Sequence, residues 1–271
     1  MQFQCPLCRQ PLHAHQESKG WYCDGKHHFD RHAIGYWDFF PARKPKNAES
    51  RDTLRARQFL LTSGIYGVAI EALARVVGQF SATGELQCIQ QGAGNAWLGK
   101  QLKAVLDELG TQVQLFSPLE AENEAFAAAK AGMEGVCFTS LKGLPFADAS
   151  ADMLWLLEAP LKGKEWLRVL KPDGLLLMLV PGPRHLWQLR EFVYPGLEEK
   201  SFTLELPSTL EILEQQPVSW SLSIPSQDAL VLMDMAPWAW RVKESVRKSI
   251  AKTNFDALEM DFRIIVARKK A

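Results

Sequence analysis

The stretch "ELQCIQQGAGNAWLGKQL", Glu85 to Leu102, decides how the rest of the chain is read. A short run, Leu86 to Gln90, leads into Gly92-Ala93-Gly94, and a helical-looking segment follows. That order outlines the turn which, in an open parallel sheet, holds a nucleotide-like ligand beyond the carboxyl end of a strand. The glycines let backbone approach the ligand, and the N–H groups at the start of the helix point at it. A lone Gly-x-Gly is weak by itself. Its place, first in a strand–helix alternation and directly before a helix, gives it weight. One departure is plain: Gln87, Gln90 and Gln91 stud the run, and no carboxylate stands where such loops usually carry one.

Working outward, strand-like runs recur at "LQCIQ", "VQLF", "GVCFT", "DMLWLLE" and "GLLLMLV". Helical stretches separate them at "NAWLGKQLKAVLDEL", "PLEAENEAFAAAKAG" and "KGKEWLRVL", and "LKPDG" reads as a turn before the next strand. This βαβ alternation predicts an α/β fold, a parallel, doubly wound sheet covered by helices. Upstream, a helix starts near Arg51 and breaks at "SGIYG"; a second places Ile65, Ala69, Ala72, Leu73, Val76 and Phe80 on one face. The segment "LEMDFRIIVARKK" reads as a long last strand, with "VSWSLSIP" as its partner at the sheet edge.

The first forty residues have a different chemistry. "CPLC" followed by "WYCDGKHHFD" gives Cys-x-x-Cys, then Cys-x-x-x-His. Four ligands at this spacing close a tetrahedron around Zn2+: Cys5, Cys8 and Cys23, with His27 favoured over the adjacent His28 as the fourth. The segment is too short and polar to fold on a core of its own, so the metal supplies much of its folding free energy. A redox reading of the Cys-x-x-Cys pair lacks the flanking βαβ pattern it needs. Cys88 and Cys137 read as small buried hydrophobes, and His13, His15 and His32 as surface residues. A closed site of this kind is structural and serves to present a surface. The expected organisation is a zinc-binding module at 1–40, a basic linker or arm at 41–57, and a cofactor-binding domain at 58–271.

Composition is that of an ordinary globular chain: 271 residues, 47% hydrophobic, with 31 basic and 31 acidic side chains. Net charge therefore points to no polyanionic partner, but the basic residues cluster. Arg43, Lys44, Lys46, Arg51, Arg55 and Arg57 form one set; Arg241, Lys243, Arg247, Lys248 and Lys252, after "APWAW", form another. The N-terminus lacks the pattern of a signal peptide, and no apolar window approaches the length that crosses a bilayer. The expectation is a cytoplasmic protein with reduced thiols.

Taken together, "CPLC…C…HHFD…GYWDFFP", "AR.FL…G.Y", "LPF.D.S.D", "RVLKP.G", "PGPRHL" and "APWAW" resemble the bacterial 23S ribosomal RNA guanine-N1 methyltransferases over nearly the whole chain. That resemblance implies a zinc module joined to a Rossmann-like class I domain dependent on S-adenosylmethionine. It also implies a guanine in a 23S rRNA hairpin as substrate, and a homodimer as an assembly. It places zinc ligands at Cys5, Cys8, Cys23 and His27, and cofactor contacts at Tyr66, Gly92, Gly94, Asn95 and His185. Where the family carries Asp and Glu in its glycine motif, this chain has Gln90 and Asn95, and Ala96 replaces a third glycine. Where the family grips the ribose with an acid, it has Ser117, with Glu120 nearby as a substitute.

Neutral amides still donate and accept hydrogen bonds, but they lose the attraction of a carboxylate for a sulfonium and an ammonium. Losing two charge-assisted bonds costs about 3–6 kcal/mol if they act independently. The departures therefore admit a second reading, an RNA-binding relative that keeps fold and metal and has lost the cofactor. A NAD(P) dehydrogenase is disfavoured by the incomplete glycine motif and leaves the zinc module without a role. For the enzyme, Glu158 in "LLEAP", after the fourth apparent strand, is the expected general base, and Trp155 or Trp238 a stacking surface for a base.

Overall fold

The structure, a computed structural model, describes residues 1–40, 45, 49–80, 84–91, 96–161 and 163–270. Three two-residue strands, β1 (His13–Ala14), β2 (Trp21–Tyr22) and β3 (His28–Phe29), form a small antiparallel sheet, followed by β4 (Trp37–Asp38). Helices α1 (Arg51–Thr62) and α2 (Gly67–Phe80) lead into β5 (Leu86–Gln90), α3 (Trp97–Glu108), β6 (Val113–Leu119), α4 (Glu122–Lys130) and β7 (Val136–Phe138). Then come β8 (Ala151–Leu157), α5 (Glu165–Val169), β9 (Leu170–Pro181) and α6 (Trp187–Val193). The chain closes with β10 (Leu210–Ile224), α7 (Ser226–Met235), α8 (Glu244–Ile250) and β11 (Phe255–Lys269).

The large sheet has the order β10-β11-β9-β8-β5-β6-β7-β4. From β4 to β9 neighbours run parallel, while β11 and β10 are antiparallel additions. β5 is the first strand of the alternation and lies between β6 and β8. The order of connection reverses there, and the crevice at such a reversal is where open α/β sheets bind ligands.

The interior strands are covered on both faces, which is why they read as apolar runs rather than as alternation. Along β5, Cys88 packs with α2, α3, α7 and α8, whereas Ile89 faces the opposite layer. Trp155 and Leu154 divide in the same way on β8. The second layer holds α5 and, unexpectedly, the N-terminal module: Phe3, Leu12, Phe29 and Phe39 share a cluster with Phe116, Phe146 and Leu154. β4 itself pairs with β7 and extends the large sheet by one strand. Arg51 to Arg57, the end of the basic stretch, lie in α1, where Ser50 caps the helix by accepting from the Thr53 N–H at 3.1 Å.

"LKPDG" is not a free turn. It is carried inside β9 as an irregularity, with Ala151 opposite Leu170 but Met153 opposite Leu175, and Asp173 takes a left-handed backbone (φ 60). Pairing resumes because Leu175 to Leu179 are needed against β8. Arg168 joins the "LPF.D" and "RVLKP" segments, donating to the carbonyls of Phe146 (2.7 Å) and Leu144 (3.0 Å) and pairing with Asp148 and Glu165. Among the described residues no single helix is long and apolar enough to cross a membrane. The α1–α2 pair, which has the length and composition, is bent by 72°.

Candidate functional site

Two sites emerge, one for a metal and one for a ligand. In the N-terminal module the Sγ atoms of Cys5, Cys8 and Cys23 and Nδ1 of His27 all lie within 4.8 Å of one another. Cys8 and Cys23 are 3.6 Å apart, and Nδ1 of His27 is 3.5 and 3.4 Å from Cys5 and Cys23. Three thiols brought this close repel once deprotonated, so the arrangement suits a cation at their centre, and a Cys3His donor set selects zinc. The structure settles the choice of imidazole: His28 is exposed on β3 and stacks on Tyr22, with ring centroids 6.0 Å apart.

The second site is a cavity of about 1200 Å³ at the carboxyl ends of β8 and β9. Its wall includes Arg57 and Leu61 from α1, Tyr66 before α2, Trp97 and Leu98 from α3, and Leu157 to Leu161 after β8. The "PGPRHL" segment supplies Pro181, Gly182, His185 and Leu186, and Pro237 and Trp238 close another side. Such a volume exceeds the roughly 300–1,000 Å³ of a pocket for one small ligand.

Glu158 stands where β8 ends. Its backbone is left-handed (φ 55), a conformation that a non-glycine residue holds only when its surroundings impose it and that clusters at functional sites. Here the Glu158 N–H donates to the Leu179 carbonyl at 3.0 Å, which fixes the turn. Burial pushes the carboxyl pKa up to about 7, against the opposing pull of a hydrogen bond with Tyr66 and the charge of Arg57. Tyr66 is itself buried, and its phenol is pushed well above its ordinary value by burial and by the Glu158 carboxylate.

His185 is also buried and lines the cavity. Burial depresses its pKa to about 3, so the ring is neutral. Its centroid lies 4.2 Å from that of Phe262, and its Nδ1 has no hydrogen-bond partner among the described residues. The loop around it is rigid: Arg184 grips Glu259 with two bonds of 2.6 Å, and its N–H donates to Asp261 at 2.9 Å. Gly182 lies so close to Asp261 that an added Cβ would come within 2.4 Å of the carboxylate.

Of the other expected ligand contacts, Gly92, Gly94 and Asn95 lie outside the described residues. Gln90, the last residue of β5, is 1% exposed, and neither its Nε2 nor its Oε1 has a partner among the described residues. Its amide presses on Gly99 in the first turn of α3, where an added Cβ would sit 1.9 Å from Oε1. An unpartnered buried amide is costly, on the order of 1–3 kcal/mol, and calls for a partner such as a water or a ligand group.

Ser117 does not reach the cavity. It is fully buried inside β6, opposite Val136, because the strand runs on to Leu119. Glu120 follows the strand end, but its carboxylate accepts from the Leu141 N–H at 3.0 Å. Trp155 is fully buried in the core and offers no stacking face, whereas Trp238 lines the cavity.

A polar cluster beside the cavity was not foreseen. Arg57 binds Glu49 at 2.6 Å, and Glu124, in the first turn of α4, has its pKa pushed up to about 7 by burial and by Glu49. Arg57 had read as one more charge in a basic run; only the fold of α1 over the sheet brings it to Glu158. A carboxyl with a raised folded-state pKa stabilises fully below its unfolded value, and that contribution is lost as pH rises through about 7. Glu124→Gln is therefore expected to raise unfolding stability at pH 8 by roughly 1–3 kcal/mol and to change it little near pH 4. Urea unfolding at the two pH values checks this; equal effects at both would contradict it.

A family model described as "RlmA, N-terminal", a zinc ribbon, matches residues 3–48. A Micromonospora griseorubida protein named "Putative 23S rRNA (guanine-N(1)-)-methyltransferase" is 31% identical over 260 residues, covering 87% of this chain and 86% of its own. The "23S rRNA (guanine(748)-N(1))-methyltransferase" of Streptomyces fradiae is 26% identical, covering 87% and 85%. Among solved structures, a "putative methyltransferase" from Bacillus halodurans aligns with a TM-score of 0.45 at 11% identity, over 73% of this chain and 99% of its own. With a zinc ribbon in register and an identity of 31% sustained over most of both chains, this protein belongs to the 23S rRNA (guanine-N1)-methyltransferase family.

Proposed function

We propose that the chain methylates N1 of a guanine in 23S ribosomal RNA, using S-adenosylmethionine, in the cytoplasm. The observation that carries this reading is the cavity at the carboxyl ends of β8 and β9, with Glu158 held in a left-handed turn beside Tyr66 and Arg57. Its size suits a nucleoside cofactor together with a base drawn out of its stack, which N1 chemistry requires because N1 faces the pairing partner.

The cavity fits the cofactor in that His185 on its wall has a buried Nδ1 with no partner among the described residues. Tyr66 and His185, which line the cavity and both pack on Phe262, would hold it, with Gln90 at the end of β5. When bound, S-adenosylmethionine supplies an electrophilic methyl group. The protein's own part is the proton. Guanine N1 carries one at neutral pH, and the Glu158 carboxylate accepts it: the N1–H bond breaks, the electron pair stays on N1, and the proton ends on a Glu158 oxygen. Arg57 and Tyr66 keep a useful fraction of that carboxyl ionised near pH 7. The cavity's aliphatic walls, Leu157, Leu161, Leu179 and Leu186, exclude water. The zinc ribbon and the cavity rim are read as the surface that receives the RNA hairpin, and a homodimer as the working assembly.

Labelled S-adenosylmethionine with hypomethylated 23S rRNA tests the reading. Methyl incorporation at a guanine, blocked when N1 is already methylated, is the expected result; no incorporation into any ribosomal RNA overturns it. Cofactor binding has its own test. Gln90→Asp restores a charge opposite the ammonium and is expected to tighten the calorimetric Kd about 5- to 10-fold, the difference between a neutral and a charge-assisted hydrogen bond. An unchanged or weakened Kd would remove Gln90 from the cofactor site.

A further inference from the structure

The second basic cluster of the sequence has no part in the chemistry above, and its surroundings are unusual. Trp240 is 77% exposed, against a usual preference of tryptophan for burial. It lies two residues after Trp238, which lines the cavity and meets Tyr194 edge to face at 6.4 Å. The Arg241 guanidinium sits over one face of the Trp240 ring, 4.7 Å from its centroid, and the high exposure leaves the other face open. Arg241, Lys243, Lys248 and Lys252 are all exposed, and none has an acidic partner among the described residues.

The patch is rigidly mounted. Ile250 of α8 is buried against α7, and Arg247 is clamped to Asp234 by two bonds of 2.6 and 2.8 Å. Leu232 and Met235 of α7 in turn line the cavity. An open aromatic face backed by a guanidinium, followed within twelve residues of chain by three exposed lysines without acidic partners, has the chemistry that single-stranded nucleic acid uses: a base for the ring and phosphates for the charges. A protein partner would call for acidic groups facing these lysines, and an apolar one would leave them unpaired.

We propose that this patch docks a single-stranded segment of the RNA adjoining the target guanosine. One base stacks on the open face of Trp240, backed by Arg241, and Lys243, Lys248 and Lys252 take the phosphates. The proposal rests on the RNA reading but not on catalysis. A base anchored here, outside the cavity wall, would offset part of the cost of unstacking its neighbour into the cavity.

The test is binding without a methyl donor. A fluorescein-labelled stem-loop RNA with a guanine-containing single-stranded loop is titrated with the full chain, and anisotropy is followed over a range of salt. Trp240→Ala is expected to weaken binding about 5- to 100-fold, and Trp240→Phe to recover part of that loss. Replacing Lys243, Lys248 and Lys252 together by alanine is expected to reduce the slope of log K against log salt by about 2. Trp240→Ala leaves that slope alone. Because Trp240 is exposed, its replacement does not disturb the core.

Wild-type affinity and slope in both variants, or no RNA binding by the wild type, overturns the proposal. So does a wild-type dimer that Trp240→Ala dissociates while RNA affinity is unchanged, which would give the face to a second copy. Wild-type protein that binds the stem-loop but transfers no methyl group sinks the enzymatic reading and leaves this one standing.

Discussion

Glu158→Gln is expected to slow methyl transfer by about 100- to 10,000-fold, the usual worth of a positioned general base. Size alone does not identify a base, so the pH profile matters more. With a carboxyl pKa of about 7, the wild-type rate should rise with pH through that value and level off as Glu158 becomes ionised. In the amide variant that limb should vanish, leaving a low rate with no rise near pH 7. Stability should move the other way. Burial has raised the folded-state pKa, so ionising Glu158 above pH 7 costs folding free energy, and the neutral amide removes that cost. A variant that is slower and, at pH 8, more stable is the signature of a group kept for chemistry. A rate within a few-fold of wild type, or a surviving limb near pH 7, would assign the proton to another acceptor.

How far this was legible in advance differs from residue to residue. The run Leu86–Gln90 appears as read: Leu86, Cys88 and Ile89 are buried in the parallel sheet and turn residues follow, although Gln87 and Gln90 interrupt the apolar signature. The zinc ligands were legible because metal geometry restricts their spacing, and only the choice between His27 and His28 needed coordinates. Glu158 was singled out from its place after an apparent strand. Its left-handed backbone and perturbed carboxyl depend on Leu179, Tyr66 and Arg57, which sequence does not bring together. Ser117 misled because sequence shows a strand's core better than its end: β6 runs two residues further, and the hydroxyl is swallowed by the sheet. Arg57 and Glu124 were invisible for the same kind of reason. Each belongs to a local pattern, a basic run or an amphipathic helix, and acquires its role through a contact across the fold.

The other large effect concerns the metal. Stripping zinc with a chelator, or replacing Cys23 by serine, is expected to lower the thermal midpoint of the whole molecule by on the order of 10 °C or more. The reason is the seam between ribbon and sheet. Phe3 stacks among Trp21, Trp37, Phe39, Phe116 and Phe146, with ring centroids 4.6 to 5.9 Å apart, so ribbon and sheet share one aromatic cluster. The Gln4 N–H donates to the Pro145 carbonyl and the Ala147 N–H to the Gln2 carbonyl, each at 3.0 Å. β4 meanwhile covers the edge of β7. If the thiolates are not held together, that cluster opens and β7 becomes an exposed edge, which favours aggregation. Unfolding should therefore remain a single transition that moves down as a unit, with about one zinc released per chain. His27→Ala should share the defect and His28→Ala should not, since only the former turns Nδ1 toward the thiols. Two separate transitions, with the larger one unmoved by zinc removal, would show that the ribbon folds apart from the sheet and that its seam contributes little.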